Sequence, residues 1–242
     1  MKALTVTKKM PLNVMFLQDD TIDCNPMEIK FKLRTEIDSS SSEDLKKAQI
    51  DQNVVFTKIQ VLIEHIINNS IVYCIDDQEK INTVYEQLSN NFITLPSIND
   101  ITLAAALHCK FNTMSTDSTY IHEIILTDLF NQIEISYFQV DEGFYEELPD
   151  VSDWNQALSY YPLAWWLRDD ISTTDQIAKD QEELDSWNQT GVKENLIIET
   201  ERIFNEITTQ FQAIYNSDNT ETSDQEGELV KVDFKSKLKL VD

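Results

Sequence analysis

Apolar and polar positions change period several times along this chain, and each change predicts a different element. Residues 12–18 are apolar enough for a strand, and the polar run that follows, closed by Pro26, predicts a turn-rich connector. From Ile29 the period is two: Ile29, Phe31 and Leu33 alternate with Lys30, Lys32 and Arg34, the pattern of a strand with one buried face. The serine run from Ser39 is poor in apolar residues and predicts a loop or the frayed start of a helix. From Asp51 the spacing becomes three and four. Val55, Ile59, Leu62, Ile63, Ile66 and Ile67 then share one face of an amphipathic helix ending at Asn68 and Asn69, with Asp51 or Asn53 as its N-cap.

Residues 71–75 form a short apolar segment, residues 76–91 fit a second, more exposed helix, and residues 92–95 a brief strand. Ser97 and Asp100 are spaced as a capping pair for a helix carrying Ile101, Ala104, Ala105, Leu107, His108 and Phe111. The alanines allow close approach to a neighbouring element. Residues 120–127 and 132–138 read as two strands across a short turn at residues 128–131.

Beyond Val140 the character changes. Residues 141–190 hold thirteen acids against two bases, a net of -11, together with Trp154, Trp165, Trp166 and Trp187. Exposed tryptophan clusters are costly, so residues 153–170 predict a helical hairpin docked by its aromatics, and the four tryptophans are interaction candidates. Ile203, Phe204, Ile207, Phe211 and Ile214 make a narrow stripe on a long helix over residues 192–215, suited to a partner helix. Residues 216–228 are polar and acidic, a linker by composition. Residues 229–242 alternate again, with Leu229, Val232, Phe234, Leu238 and Leu240 between lysines, and predict a terminal strand added to a sheet edge of this chain or another. The expected organisation is therefore a domain over 12–140, an acidic aromatic-rich helical extension over 141–215, and a linker with a strand-like tail over 216–242.

Composition narrows the function classes. The 242 residues include 11 Phe, 8 Tyr and 4 Trp, enough to bury a core, and only 3 Gly, too few for phosphate-cradling loops of the dinucleotide or P-loop kind. Forty-three acids against 19 bases give a net charge of -24, which opposes nucleic acid and anionic membrane and favours a basic protein surface as partner. Cys24, Cys74 and Cys109 are odd in number and widely spaced, the usage of unpaired, mostly buried thiols in a reducing compartment. No apolar run approaches membrane-spanning length and the N-terminus has no cleavable signal pattern, so a cytoplasmic location is expected. His65, His108 and His122 are enough in number for a zinc site, but their predicted elements differ, and ordinary histidines are the expectation. Cys109 directly follows His108 on a helix, and adjacent helical positions do not face each other. Glu36 with Asp38, and Asp76 with Asp77, fit a solvated face in a chain this acidic.

The order strand, loop, helix, variable insert, capped helix, two strands resembles the tunnelling fold of the 6-pyruvoyl-tetrahydropterin synthase and 6-carboxytetrahydropterin synthase family. The local echoes are CNP at residues 24–26 before a strand, FTKIQVLIEHI at the first helix, PSINDITLAAAL at the second helix start, and the hairpin IHEIILTDLFNQIEISYF. The resemblance covers residues 12–140 and implies an α+β domain, an antiparallel sheet with two helices, closing its sheet by association into an oligomer or larger assembly. It also implies a zinc site with a His-x-His step at the start of the strand. The corresponding NPMEIKFKL holds no histidine, so no metal and no cofactor is expected. The family's ligand-anchoring carboxylate falls near Thr127 and Asp128, where Asp128 equally suits the opening of a hairpin turn. The expected function is a non-catalytic assembly or interaction protein, of the kind a virus encodes, that kept the scaffold after losing the metal ligands. The alternatives are a zinc-independent pterin- or deazaguanine-binding enzyme and an acidic nucleic-acid mimic that blocks a basic host protein.

Overall fold

The computed structural model describes residues 2–18, 21–37, 41–77, 91–138 and 163–175, together with residues 81, 148, 161, 182, 185 and 186. Strands β1 (Lys2–Gln18) and β2 (Thr21–Ile37) pair antiparallel in unbroken register, from Lys2 opposite Ile37 to Gln18 opposite Thr21. Helix α1 (Ser42–Leu62) continues into a π-helical segment, Ile63–Ile67, and leads to strand β3 (Ser70–Cys74). Strand β4 (Phe92–Leu95), helix α2 (Asp100–Thr113) and strands β5 (Thr119–Asp128) and β6 (Ile133–Tyr137) follow. The six strands make one sheet in the order β4-β3-β1-β2-β5-β6. The expected α+β arrangement of an antiparallel sheet and two helices is present, extended by β3 and β4, which join the β1 edge in parallel. No helix of the described residues is long and apolar enough to cross a membrane.

Both helices cover the same face of the sheet. The Phe31 ring on β2 meets Phe56 of α1 at 6.1 Å and Phe111 of α2 at 5.8 Å. Alternation delivers Leu12 and Val14 from β1, Ile29, Phe31 and Leu33 from β2, and Ile124 and Leu126 from β5 to this core. The opposite face carries Lys9, Glu28, Lys30, Lys32 and Glu123, partly exposed and cross-paired; Lys30 reaches Glu134 of β6 at 3.6 Å.

A bulge in β5 sets the phase of its last half. Lys32 faces Glu123 and Leu33 faces Ile121, so His122 is the extra residue. The buried set therefore moves from Thr119 and Ile121 to Ile124, Leu126 and Asp128. The side chain of Asn112 on α2 steadies the bulge like a short strand, accepting from the Ile121 N–H at 2.8 Å and donating to the Ile121 carbonyl at 3.2 Å.

Several elements run beyond their sequence signals. β1 begins at Lys2, not near Leu12, because Thr5, Thr7 and Lys9 occupy the open face while Leu4 and Val6 lie half-buried on the other. The connector predicted around residues 19–26 is mostly strand. Pro26 fits because its carbonyl accepts from the Leu129 N–H at 3.0 Å, and a strand residue turns both backbone groups to one side. The missing donor thus faces the end of β5, and no β1 bond is lost. Helix α1 starts at Ser42, capped by Ser41 with Glu43 and Asp44 in the first turn, so Ser41 and Ser42 of the serine run belong to the helix start. The cap of α2 is Asn99, which accepts from the Thr102 N–H at 2.8 Å, in place of the Ser97 and Asp100 pair. Ser97 instead accepts from the Asn99 amide at 2.8 Å. The second helix predicted within residues 76–91, the long helix over 192–215, the linker and the tail lie outside the described residues, apart from a 3-10 turn at Ile75–Asp77, buried Ile81 and exposed Asn91.

Candidate functional site

The β5–β6 turn, where the anchoring carboxylate was expected, is built around Asp128. One carboxylate oxygen accepts from the N–H groups of Phe130 at 2.7 Å and Asn131 at 3.0 Å, and the other from the Asn131 side chain at 2.9 Å. These donors, the Asn131 N–H first among them, hold the Asp128 carboxyl below the usual carboxylate range. Asp128 thus opens the hairpin turn, one of the two roles its position suggested. Thr127 points to the opposite face, beside Glu28 and Glu134, and its buried hydroxyl has no partner among the described residues. The two candidate anchors do not converge on one point.

Beside the turn lies an open cleft of about 500 Å³. Its walls come from the end of β1, the start of β2, the start of α2 and the turn itself: Phe16, Asp23, Cys24, Asn25, Asp100 and Phe130 are among them, and no lysine or arginine among the described residues lines it. Burial, and then the nearby charge of Asp128, raise the Asp100 carboxyl above its ordinary value. The cleft therefore presents hydrogen-bond acceptors and side-chain amides against two phenyl rings. Of the three thiols Cys24 is exposed, Cys74 half-buried and only Cys109 buried, so they are less uniformly interior than expected.

His108 and His122 come near each other, His108 buried on α2 and His122 exposed on the bulge, while His65 lies exposed in the π-helical segment. Among the described residues no three His, Cys, Asp or Glu side chains gather where a metal ion could be held. His108 stacks edge-on against Tyr137 of β6 at 5.6 Å and approaches Asn112 at 3.4 Å. Burial, the largest influence, brings its pKa down to about 4. An unfolded chain protonates this histidine near pH 6.5 and the folded chain only near 4. Stability present above pH 6.5 is therefore lost as pH falls toward 4, by on the order of 3 kcal/mol. Urea unfolding of the wild type should lose that much more between pH 7 and pH 4 than unfolding of His108→Asn. The difference between the two isolates the histidine, because Asp128 and Asp170 also surrender stability in acid. Parallel curves would contradict the assignment.

Trp165 and Trp166 are buried within the chain, at 0% and 2% exposure, in the same core as the sheet and helices. They belong to a 3-10 turn, Trp165–Leu167, packed on α2, while Trp154 and Trp187 lie outside the described residues. The helical hairpin expected over 153–170 is, in its described part, this single turn followed by bends and irregular chain. That chain closes the β4 edge. The Trp165 indole donates to the Thr94 carbonyl at 2.7 Å, the Thr94 N–H donates to the Thr173 carbonyl at 3.0 Å, and the Thr173 hydroxyl donates to the Phe92 carbonyl at 2.7 Å.

Two buried cations hold this segment in place. Arg168 donates to Asp175 and to the Thr174 carbonyl, both at 2.7 Å, and to Ser172 at 2.8 Å. Lys110 of α2, fully buried, donates to the carbonyls of Arg168 at 2.8 Å and Trp165 at 3.1 Å, and meets Asp170 at 3.3 Å. Burial brings the Lys110 ammonium down to about 8, against the pull of Asp170. For Asp170, burial acts upward but Lys110, Ser172 and Arg168 together hold it below the usual range. None of this cluster was singled out from the sequence. The one signal was Arg168, one of only two bases in the acidic segment.

No described residue pairs with the outer side of β6, and around it Phe130 is 83% exposed and Ile133 and Phe138 each 54%.

No family model matches the chain, and no curated protein matches it. Among solved structures, 6-pyruvoyl tetrahydropterin synthase from Caenorhabditis elegans matches with a TM-score of 0.37 and 10% identity, over 57% of this chain and 97% of that one. An uncharacterized protein from Wolinella succinogenes matches with a TM-score of 0.38 and 6% identity, over 57% of this chain and 99% of that one.

Proposed function

We propose that this chain is a non-catalytic assembly protein that associates with further copies of itself through the outer edge of β6. The observation that carries this reading is the contrast between the two sheet edges. At β4 outward backbone groups of Phe92 and Thr94 are taken by Thr173 and Trp165 of the same chain, whereas no described residue pairs with the outer side of β6, which is flanked by Phe130, Ile133 and Phe138. An open edge with exposed apolar residues is a template for another strand, and monomeric proteins usually blunt it. Native mass spectrometry of the full chain should show an oligomer. Ile133→Lys, which places a charge on a residue already half outside, should yield a folded monomer with an unchanged circular dichroism spectrum. A wild type that stays monomeric at tens of micromolar contradicts the reading.

A second reading rests on the cleft beside Asp128. Its aromatic walls and hydrogen-bond acceptors suit a flat, donor-rich ring such as a pterin or deazaguanine, bound without zinc. Such a ligand would raise the melting temperature of the wild type, and Asp100→Leu should abolish the shift. No stabilisation by any member of a pterin and purine panel counts against it.

A further inference from the structure

The assembly reading places an added strand on β6 and does not say which. We propose that this strand is the C-terminal segment of a second copy, residues 230–240; the inference rests on that reading and names its partner.

The acceptor side is defined by backbone alternation. The Leu129 N–H bonds to Pro26 of β2, so the even residues of β5 turn toward β6 and bond to Ile133, Ile135 and Tyr137. Glu134 and Ser136 therefore turn their N–H and C=O groups outward, where no described residue meets them. The flanks of this edge differ. On the helix side lie Ile133, 54% exposed, and half-buried Ile135; on the other side stands Glu134, beside Ser136 and its hydrogen-bond partner Glu123.

The donor matches both flanks. Val230, Val232, Phe234, Leu238 and Leu240 fall on one side of a two-residue period, and Lys231, Lys235, Lys237 and Lys239 on the other. Set against β6, the apolar side covers Ile133 and Ile135 while the lysines lie along Glu134, an opposite charge on the neighbouring strand. The segment is also a local exception in charge. Residues 229–242 hold four lysines and two aspartates in a chain of net charge -24, so a basic arm on an acidic body offsets the repulsion between copies. A second copy is the acceptor for two reasons. Pairing in the same chain would leave no open edge for assembly, and the five acids of residues 216–228 repel one another and the acidic body they lead from.

The test compares masses of three full-length proteins by native mass spectrometry, with circular dichroism checking the fold: wild type, Ile133→Lys, and the double variant Val232→Pro with Leu238→Pro. The prolines remove strand donors from the tail and leave the described body untouched. An oligomeric wild type with both variants monomeric is the expected result. A proline variant that keeps the wild-type mass, with Ile133→Lys monomeric, overturns the tail as donor and leaves the assembly reading standing. Both variants remaining oligomeric removes the β6 edge altogether. A monomeric wild type overturns the second copy as acceptor, and if the proline variant then associates, the tail pairs with its own chain.

Discussion

Trp165→Ala should destabilise the folded chain by about 3–5 kcal/mol, the range for emptying a fully buried tryptophan site. The indole fills space between α2 and β4 and donates to the Thr94 carbonyl, so the substitution opens a cavity and removes a buried donor together. The effect has a location as well as a size. Residues 163–175 are held from one side by α2 and β4, so they should detach before the sheet melts, and hydrogen exchange at Thr94 should accelerate ahead of exchange in β1, β2 and β5. An unchanged urea midpoint together with wild-type protection at Thr94 would show that Trp165 does not hold this edge.

Asp175→Ala belongs in the same range, about 3–5 kcal/mol, because it takes from buried Arg168 its shorter carboxylate contact and leaves it Asp170 at 3.6 Å. It also takes the acceptor from the Trp165 N–H, which bonds Asp175 at 3.0 Å. The exposed ion pairs on the helix-free face, such as Lys30 with Glu134, are worth at most about 1 kcal/mol by comparison. Asp175→Asn keeps the shape and most acceptor capacity, so the gap between wild type and the asparagine variant measures the charge. The double variant Arg168→Met with Asp175→Leu should lie closer to wild type than Asp175→Ala alone, since a buried pair exchanged for apolar groups of similar size is often near neutral. If the double variant is no better than the single one, the cost lies in the lost backbone contacts and not in the guanidinium's loss of its shorter ion pair.

What could be read from the chain was whatever a single face dictates. Ile29, Phe31 and Leu33 marked β2 because one side is core and the other wet, and β4 appeared with the bounds the pattern gave it. The upstream half of β1 was hidden because Thr5, Thr7 and Lys9 resemble a polar leader until β2 is known to lie alongside. Pro26 looked like a turn because proline in a central strand usually argues against one. Only the position of Leu129, a hundred residues on, shows why it is tolerated. The α2 helix was found, but its cap was misplaced because Ser97, Asn99 and Asp100 are all plausible caps and the choice depends on which side chain reaches the Thr102 N–H. The candidate site was half legible. Asp128 was correctly located at the hairpin turn, yet nothing local shows that Asp100 approaches it or that Cys24 and Asn25 share its cleft. Lys110 was least legible of all, since its three oxygen partners lie 55 to 60 residues away.

The β4 edge also has an order of appearance. Thr173 bonds Phe92 across 81 residues of sequence, so on the ribosome β4 emerges long before the segment that closes it. At about 5–20 residues per second, that interval lasts roughly 4 to 16 seconds. For that time the nascent chain carries β4 without the segment that closes it, and this edge is the one a chaperone would have to shield until Trp165 and Arg168 arrive.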